Sequence, residues 1–125
     1  MTEQELKNLL VRLQSLTAEN EIVEFKEAKD NYDFRKLGKY FSALSNEANL
    51  KSKQYAWLVF GIENKRHDIV GTRYRSQRKD LDSLKSEIAD KTTNRITFNE
   101  IYELNLPQGR VILFQIPAAP RGFPI

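Results

Sequence analysis

The sequence predicts an α+β single domain: a mixed, mostly antiparallel sheet packed with about three helices, in the order helix, strand, helix, hairpin, helix, hairpin. Three observations carry that prediction. The apolar period switches between helical and strand spacing along the chain. One run, "YAWLVFGI" (55–62), is apolar almost throughout, and the last third holds two β-prone runs joined by "LPQG".

Thr2 and Glu5 form the pattern T-x-x-E, a capping box whose two side chains each satisfy a free backbone N–H at a helix start. Leu6, Leu9, Leu10, Leu13 and Leu16 follow at helical spacing and give one apolar face. From Ile22 the period changes. Val23 and Phe25 fall on one side of a half-buried strand, Glu24 and Lys26 on the other. "KDNYDF" has turn chemistry, and Asp33 stands where a helix N-cap belongs. Phe34, Leu37, Phe41 and Leu44 mark the apolar face of the second helix, with Arg35, Lys36 and Lys39 on its exposed side. Gly38 inside that helix costs about 1 kcal/mol relative to alanine, which predicts a neighbour packed close against it.

The run 55–62 has the length and β-branched, aromatic content of a central strand buried on both faces. "ENKRHD" is a polar turn, and Ile69–Gly71 reads as a short returning strand, so 55–72 is expected to form a hairpin. After the basic loop "TRYRSQRK", Asp80 can cap a third helix on which Leu81, Leu84 and Ile88 share a face. Ile96, Phe98, Tyr102 and Leu104 alternate with polar positions, Glu100 interrupting, before "LPQG" turns the chain into "RVILFQI". The closing "PAAPRGFPI", with three prolines and a glycine, reads as a connector. We expect residues 1–125 to be one domain, the N-terminal part of a longer protein.

Composition narrows the chemistry. A chain of 125 residues with 40% apolar and 30% charged residues is globular and large enough for one core. It has no cysteine, which excludes disulfides, thiolate metal sites and thiol nucleophiles and fits a reducing, cytoplasmic setting. No apolar run approaches the roughly 20 residues of a membrane helix, so no membrane partner is expected. The net charge is only +3, but residues 25–80 hold thirteen basic and seven acidic side chains. A positive middle of this kind favours phosphate partners.

Neither G-x-S-x-G, nor a P-loop, nor G-x-G-x-x-G occurs. The lone histidine, His67, sits in a polar turn where a solvated role is expected. Glu19, Glu21 and Glu24 enter the first strand and Glu63 ends the central one. Clustered carboxylates can hold Mg²⁺ or Mn²⁺ for phosphodiester hydrolysis. Glu19 and Glu24 converge only if Glu19 lies on the turn before the strand, and a charged strand face with lysine counter-ions explains the same residues. "RYRSQRK" places Arg73, Arg75, Arg78 and Lys79 around Tyr74. Guanidinium groups fork onto phosphates and an exposed tyrosine stacks on bases, although a solvated loop would read the same.

Read together, "ENEIVEFKEA", a helix ending "YFSALSNEAN", and "AWLVFGIENKRHDIVGTRY" resemble the Schlafen AlbA-like domain, formerly called a divergent AAA domain. The closing "ELNLPQGRVILFQIPAAPRGFP" is similar to that domain's final hairpin, so the resemblance covers residues 17–124. It implies a DNA-binding domain at the N-terminus of a bacterial transcriptional regulator. In eukaryotic Schlafen proteins the related core is a divalent-metal ribonuclease with three acidic residues. Two of these fall on Glu19 and Glu24, and the third on Asn64, with Glu63 just before it. A neutral amide there removes one negative charge from the site. The family's glycine pair before the central strand is replaced by "NLKSKQYAW", in which Lys51 and Lys53 offer phosphate contacts.

The leading expectation is therefore phosphate-directed binding of nucleic acid, DNA rather than RNA, without a cofactor or a resident metal. Its contacts would be Lys26, Arg35, Lys39, Lys51 and Lys53, together with Arg73, Tyr74, Arg75, Arg78 and Lys79. One alternative is a ribonuclease using Mg²⁺ or Mn²⁺ at Glu19, Glu24, Glu63 and Asn64; another is a structural or protein-interaction domain. The sequence leaves a homodimer open.

Overall fold

The computed structural model describes residues 1–15, 21–92 and 95–120. The capping box forms as the sequence predicts: Thr2 Oγ1 accepts from the Glu5 N–H at 3.1 Å, and Glu5 Oε1 from the Thr2 N–H at 3.0 Å. It starts α1 (Glu3–Gln14), which buries Leu6, Leu9, Leu10 and Leu13; Leu16 lies outside the described residues. Strand β1 (Val23–Lys26) leads through a turn to α2 (Phe34–Leu50), which returns the chain to β2 (Tyr55–Phe60), parallel to β1. A parallel neighbour needs such a crossover, and α2 supplies it. Two short helices, α3 (Arg78–Asp82) and α4 (Leu84–Ala89), precede the antiparallel pair β3 (Glu100–Leu106) and β4 (Gly109–Pro117). The sheet order is β1-β2-β4-β3.

Each sheet face has its own core. Ala56, Leu58 and Phe60 of β2 join Phe114 and Ile116 of β4 against Leu37, Phe41 and Leu44 of α2 and Leu81, Leu84 and Ile88. Trp57 and Val59 join Phe25, Val111 and Leu113 against the leucines of α1. This explains why β2 is apolar at successive positions: it is interior to the sheet and covered on both faces.

The α+β arrangement is as the sequence predicts, but the expected hairpin over 55–72 is reduced to an antiparallel bridge just past β2. After β2 the chain makes one isolated bridge, Ile62 to Ile69, and Ile69–Gly71 is not a strand. Strand β2 already has β1 on one side and β4 on the other, so no edge is free for a returning strand. Instead the segment crosses the end of the sheet. Thr72 Oγ1 donates to the Ala28 carbonyl, and the Arg73 N–H donates to the Lys29 carbonyl at 2.6 Å. The crossing is tight: a Cβ on Gly109 would lie 2.7 Å from the Gly71 Cα, and Gly71 has φ +81°.

Three smaller expectations also change. Asp80 lies inside α3, which starts after Gln77, and Ser83 separates α3 from α4. The alternation from Ile96 to Leu104 is not one strand, because β3 begins at Glu100; Ile96 and Phe98 reach the α2-side core from the loop before it. Nothing described packs against Gly38: apart from its chain neighbours and its own helix backbone, a Cβ built there meets no described atom within 4 Å.

Candidate nucleic-acid interface

Helix α2 is held by its buried face, which leaves the opposite face to solvent. Arg35, Lys36 and Lys39 are exposed on it, and among the described residues no carboxylate lies within ion-pair distance of any of them. Two hollows adjoin here. One, of about 540 Å³, is lined by Lys26, Tyr32, Lys36, Lys39, Tyr40 and Ala43. The other, of about 550 Å³, is lined by Phe34, Arg35, Gly38, Lys39, Phe41, Ser42, Ile88, Lys91 and Thr92. Lys39 borders both. Lys26 rises from the edge strand β1 with its ammonium 4.6 Å from the Tyr40 ring centroid and 3.5 Å from Glu24 Oε1. Hydrogen bonding to Tyr40, more than the Glu24 charge, raises its pKa and holds it cationic.

The arginines of the 73–79 loop are differently employed. Arg73 pairs with Asp30 at 2.6 Å on the open surface. Arg75 donates twice to the Glu87 carboxylate and once to the Asp80 carbonyl, at 2.9 Å. The hydrogen bonding between Arg75 and Glu87 raises the pKa of Arg75 and lowers that of Glu87. Arg78 donates to the Ile101 carbonyl at 2.7 Å and pairs with Asp82 at 3.0 Å. Tyr74 corrects the expectation of an exposed stacking ring. It is only 4% exposed, with its ring centroid 5.3 Å from that of Phe60, and the apolar ring is worth more in the core than in water. Lys79 is exposed on α3.

Lys51 and Lys53 follow the C-terminal end of α2, about 20 Å along the axis from Arg35 and Lys36. Lys51 is paired there with Glu47 at 2.7 Å. The predicted cations therefore do not form one cluster. The structure brings Lys26, Arg35 and Lys39 together and adds Lys36, Lys91, Tyr32 and Tyr40. Lys36 and Tyr40 were legible as one helical stripe; Lys91 arrives from the end of α4 and left no local signal.

The candidate metal ligands are scattered over several tasks. Glu19 lies outside the described residues. Glu24 is engaged by Lys26. Glu63 accepts the N–H groups of Lys65 at 2.6 Å and Arg66 at 2.7 Å, and those bonds lower its pKa. Asn64 is exposed on the same turn. Among the described residues no group of three His, Cys, Asp or Glu side chains is placed to hold a metal ion. His67 is not solvated: it is half-buried, its ring centroid 4.3 Å from that of Phe25 and Nδ1 3.1 Å from the Gln14 carbonyl. It ties the turn to the end of α1. Among the described residues no helix is long and apolar enough to cross a membrane.

The structure is similar to the crystal structure of the DIP2311 protein from Corynebacterium diphtheriae, with a TM-score of 0.56 and 19% identity. The alignment covers 93% of this chain and 23% of that one, so the chain spans about a quarter of that protein's length. At that identity the likeness concerns the fold. None of the curated proteins compared matches the chain. The family model described as Schlafen, AlbA_2 matches residues 19–123, from the segment before β1 through β4. With most of its length matched, the chain belongs to the Schlafen AlbA_2 family, a nucleic-acid-binding-like type of domain.

Proposed function

We propose that the domain binds nucleic acid through the outer face of α2 and Lys26, chiefly by contact with phosphates. One observation carries this reading: Arg35, Lys36, Lys39 and Lys91 line two adjoining hollows, and no described carboxylate neutralises them. Cations held at a surface without internal partners are available to displace the counter-ions of a phosphate backbone. Contacts of this kind position the domain and carry little sequence information. DNA is the expected partner, in a cytoplasmic bacterial transcriptional regulator; this finer assignment rests on the family resemblance. The test is fluorescence anisotropy with labelled duplex DNA and duplex RNA at about 50 and about 200 mM salt. Four phosphate contacts on DNA give a slope of log K against log salt of about −3.6. Binding that ignores salt, or that survives removal of the α2 cations, would sink the proposal.

A further inference from the structure

A glycine in the middle of a helix normally marks a place where another part of the protein comes close. Gly38 does not fit that rule, since beyond its chain neighbours and its own helix backbone no described atom lies within 4 Å of where its Cβ would be. The space left open is the hollow over Phe34, Phe41 and Ile88. Phe34, Gly38 and Phe41 stand at helical spacing on one stripe of α2, with Phe34 half-buried and Phe41 closing the floor. Arg35, Lys39 and Lys91 form the rim, none ion-paired among the described residues.

We propose that this hollow receives one unstacked base of a single-stranded nucleic acid, with its flanking phosphates on Arg35, Lys39 and Lys91. The inference deepens the nucleic-acid reading and rests on it. A flat ring is the shape that an apolar slot beside an aromatic side chain accepts, and every base offers such a face. The cationic rim selects an anionic ligand over an apolar peptide. The second hollow, which shares Lys39, continues the path, so a strand leaving the base pocket meets Lys26 and Lys36 next. A duplex cannot supply the base without unpairing it. Duplexes therefore bind by phosphate contact alone.

Gly38→Leu places a side chain in space that no described protein atom occupies and improves helix propensity, so the melting temperature should rise by about 4 °C. The same side chain fills the pocket. Affinity for a labelled single-stranded oligonucleotide should fall about tenfold, the order of one lost stacking contact, and by several-fold more than affinity for a duplex. An oligonucleotide series with one abasic nucleotide should reproduce that loss on the unmodified protein. The melting curve confirms that the variant folds. Equal affinity of Gly38→Leu and the unmodified protein for the single strand would overturn the pocket and leave the phosphate-binding face standing. Salt-insensitive binding, or none to any nucleic acid at low salt, would overturn both. A nucleoside monophosphate that competes as strongly as the oligonucleotide would assign the hollow to a free nucleotide and overturn the strand.

Discussion

Two stretches of this chain carry similar positive charge and use it in opposite ways. In the stretch 73–79, which runs from the loop into α3, Arg73, Arg75 and Arg78 each have a carboxylate partner, and Arg75 and Arg78 also hold backbone carbonyls. On α2, Arg35, Lys36 and Lys39 have no such partner among the described residues. The difference comes from what lies beneath. The loop crosses the open end of the sheet, where backbone groups need donors, and a guanidinium with five of them meets that need. The outer face of α2 has its backbone bonded within the helix, so its cations are left for something outside the chain. Charge counted along a sequence is therefore not charge available for binding.

The largest expected effect belongs to Arg110, the residue that fixes the loop. Its guanidinium pairs with Glu103 at 2.5 Å and donates to the carbonyls of Tyr74 at 2.7 Å and Arg75 at 3.0 Å, with 12% of the side chain exposed. Arg110→Met strands Glu103 and those carbonyls, and should cost about 3 kcal/mol in denaturant unfolding. A loss below about 1 kcal/mol would mean that the loop is held by its own contacts and that its arginines are freer than their partners suggest.

Next in size is the triple change of Arg35, Lys36 and Lys39 to alanine. It should weaken duplex DNA binding at low salt about tenfold or more and flatten the salt slope by about 3, since each removed phosphate contact takes roughly one from it. Thermal stability should hardly move, because no described partner is stranded. If binding survives intact, the two stretches have exchanged roles, and the free face of α2 is solvated surface.

The fold was legible where one residue type served one purpose. The capping box, the leucines of α1 and the doubly buried β2 each report a single local requirement, and each is found as expected. The returning strand at Ile69–Gly71 was misread because strand propensity says nothing about whether a sheet edge is open, and β2 has none. At the candidate site the same limit applies. Lys26, Arg35 and Lys39 were recognisable as exposed cations, but whether Tyr74 points inward depends on Phe60 beneath it. Lys91 joins them only because Ile88 of α4 and Phe41 of α2 share one core and line the same hollow.

A smaller effect, readable by pH, comes from the Arg75–Glu87 pair. The folded-state pKa of Glu87 is lowered, so the pair's contribution is fully present above the unfolded carboxylate range and is lost as pH falls through the folded value. Because Glu87 is 40% exposed, solvent screening keeps the expected contribution to about 0.5–1 kcal/mol. Glu87→Gln should lower the melting temperature at neutral pH, and the two proteins should converge only once pH has fallen below the lowered folded-state value of Glu87. A difference that persists unchanged into acid would place the loss in packing or hydrogen bonding instead of charge.

The smallest effect discriminates most sharply between the two stretches. Arg73 is 82% exposed, pairs with an Asp30 that is itself 58% exposed, and borders a separate hollow with Lys29 and Arg110. Such a pair is worth about 0.5 kcal/mol or less, so Arg73→Ala should leave stability nearly unchanged. If α2 is the interface, duplex affinity should also change by less than about twofold, since a single peripheral cation adds little at moderate salt. A tenfold loss from this one substitution would mean that Asp30 yields Arg73 to a phosphate on binding. The interface would then extend from α2 across Lys29 to the loop, and the arginines that now hold the fold would be its second edge.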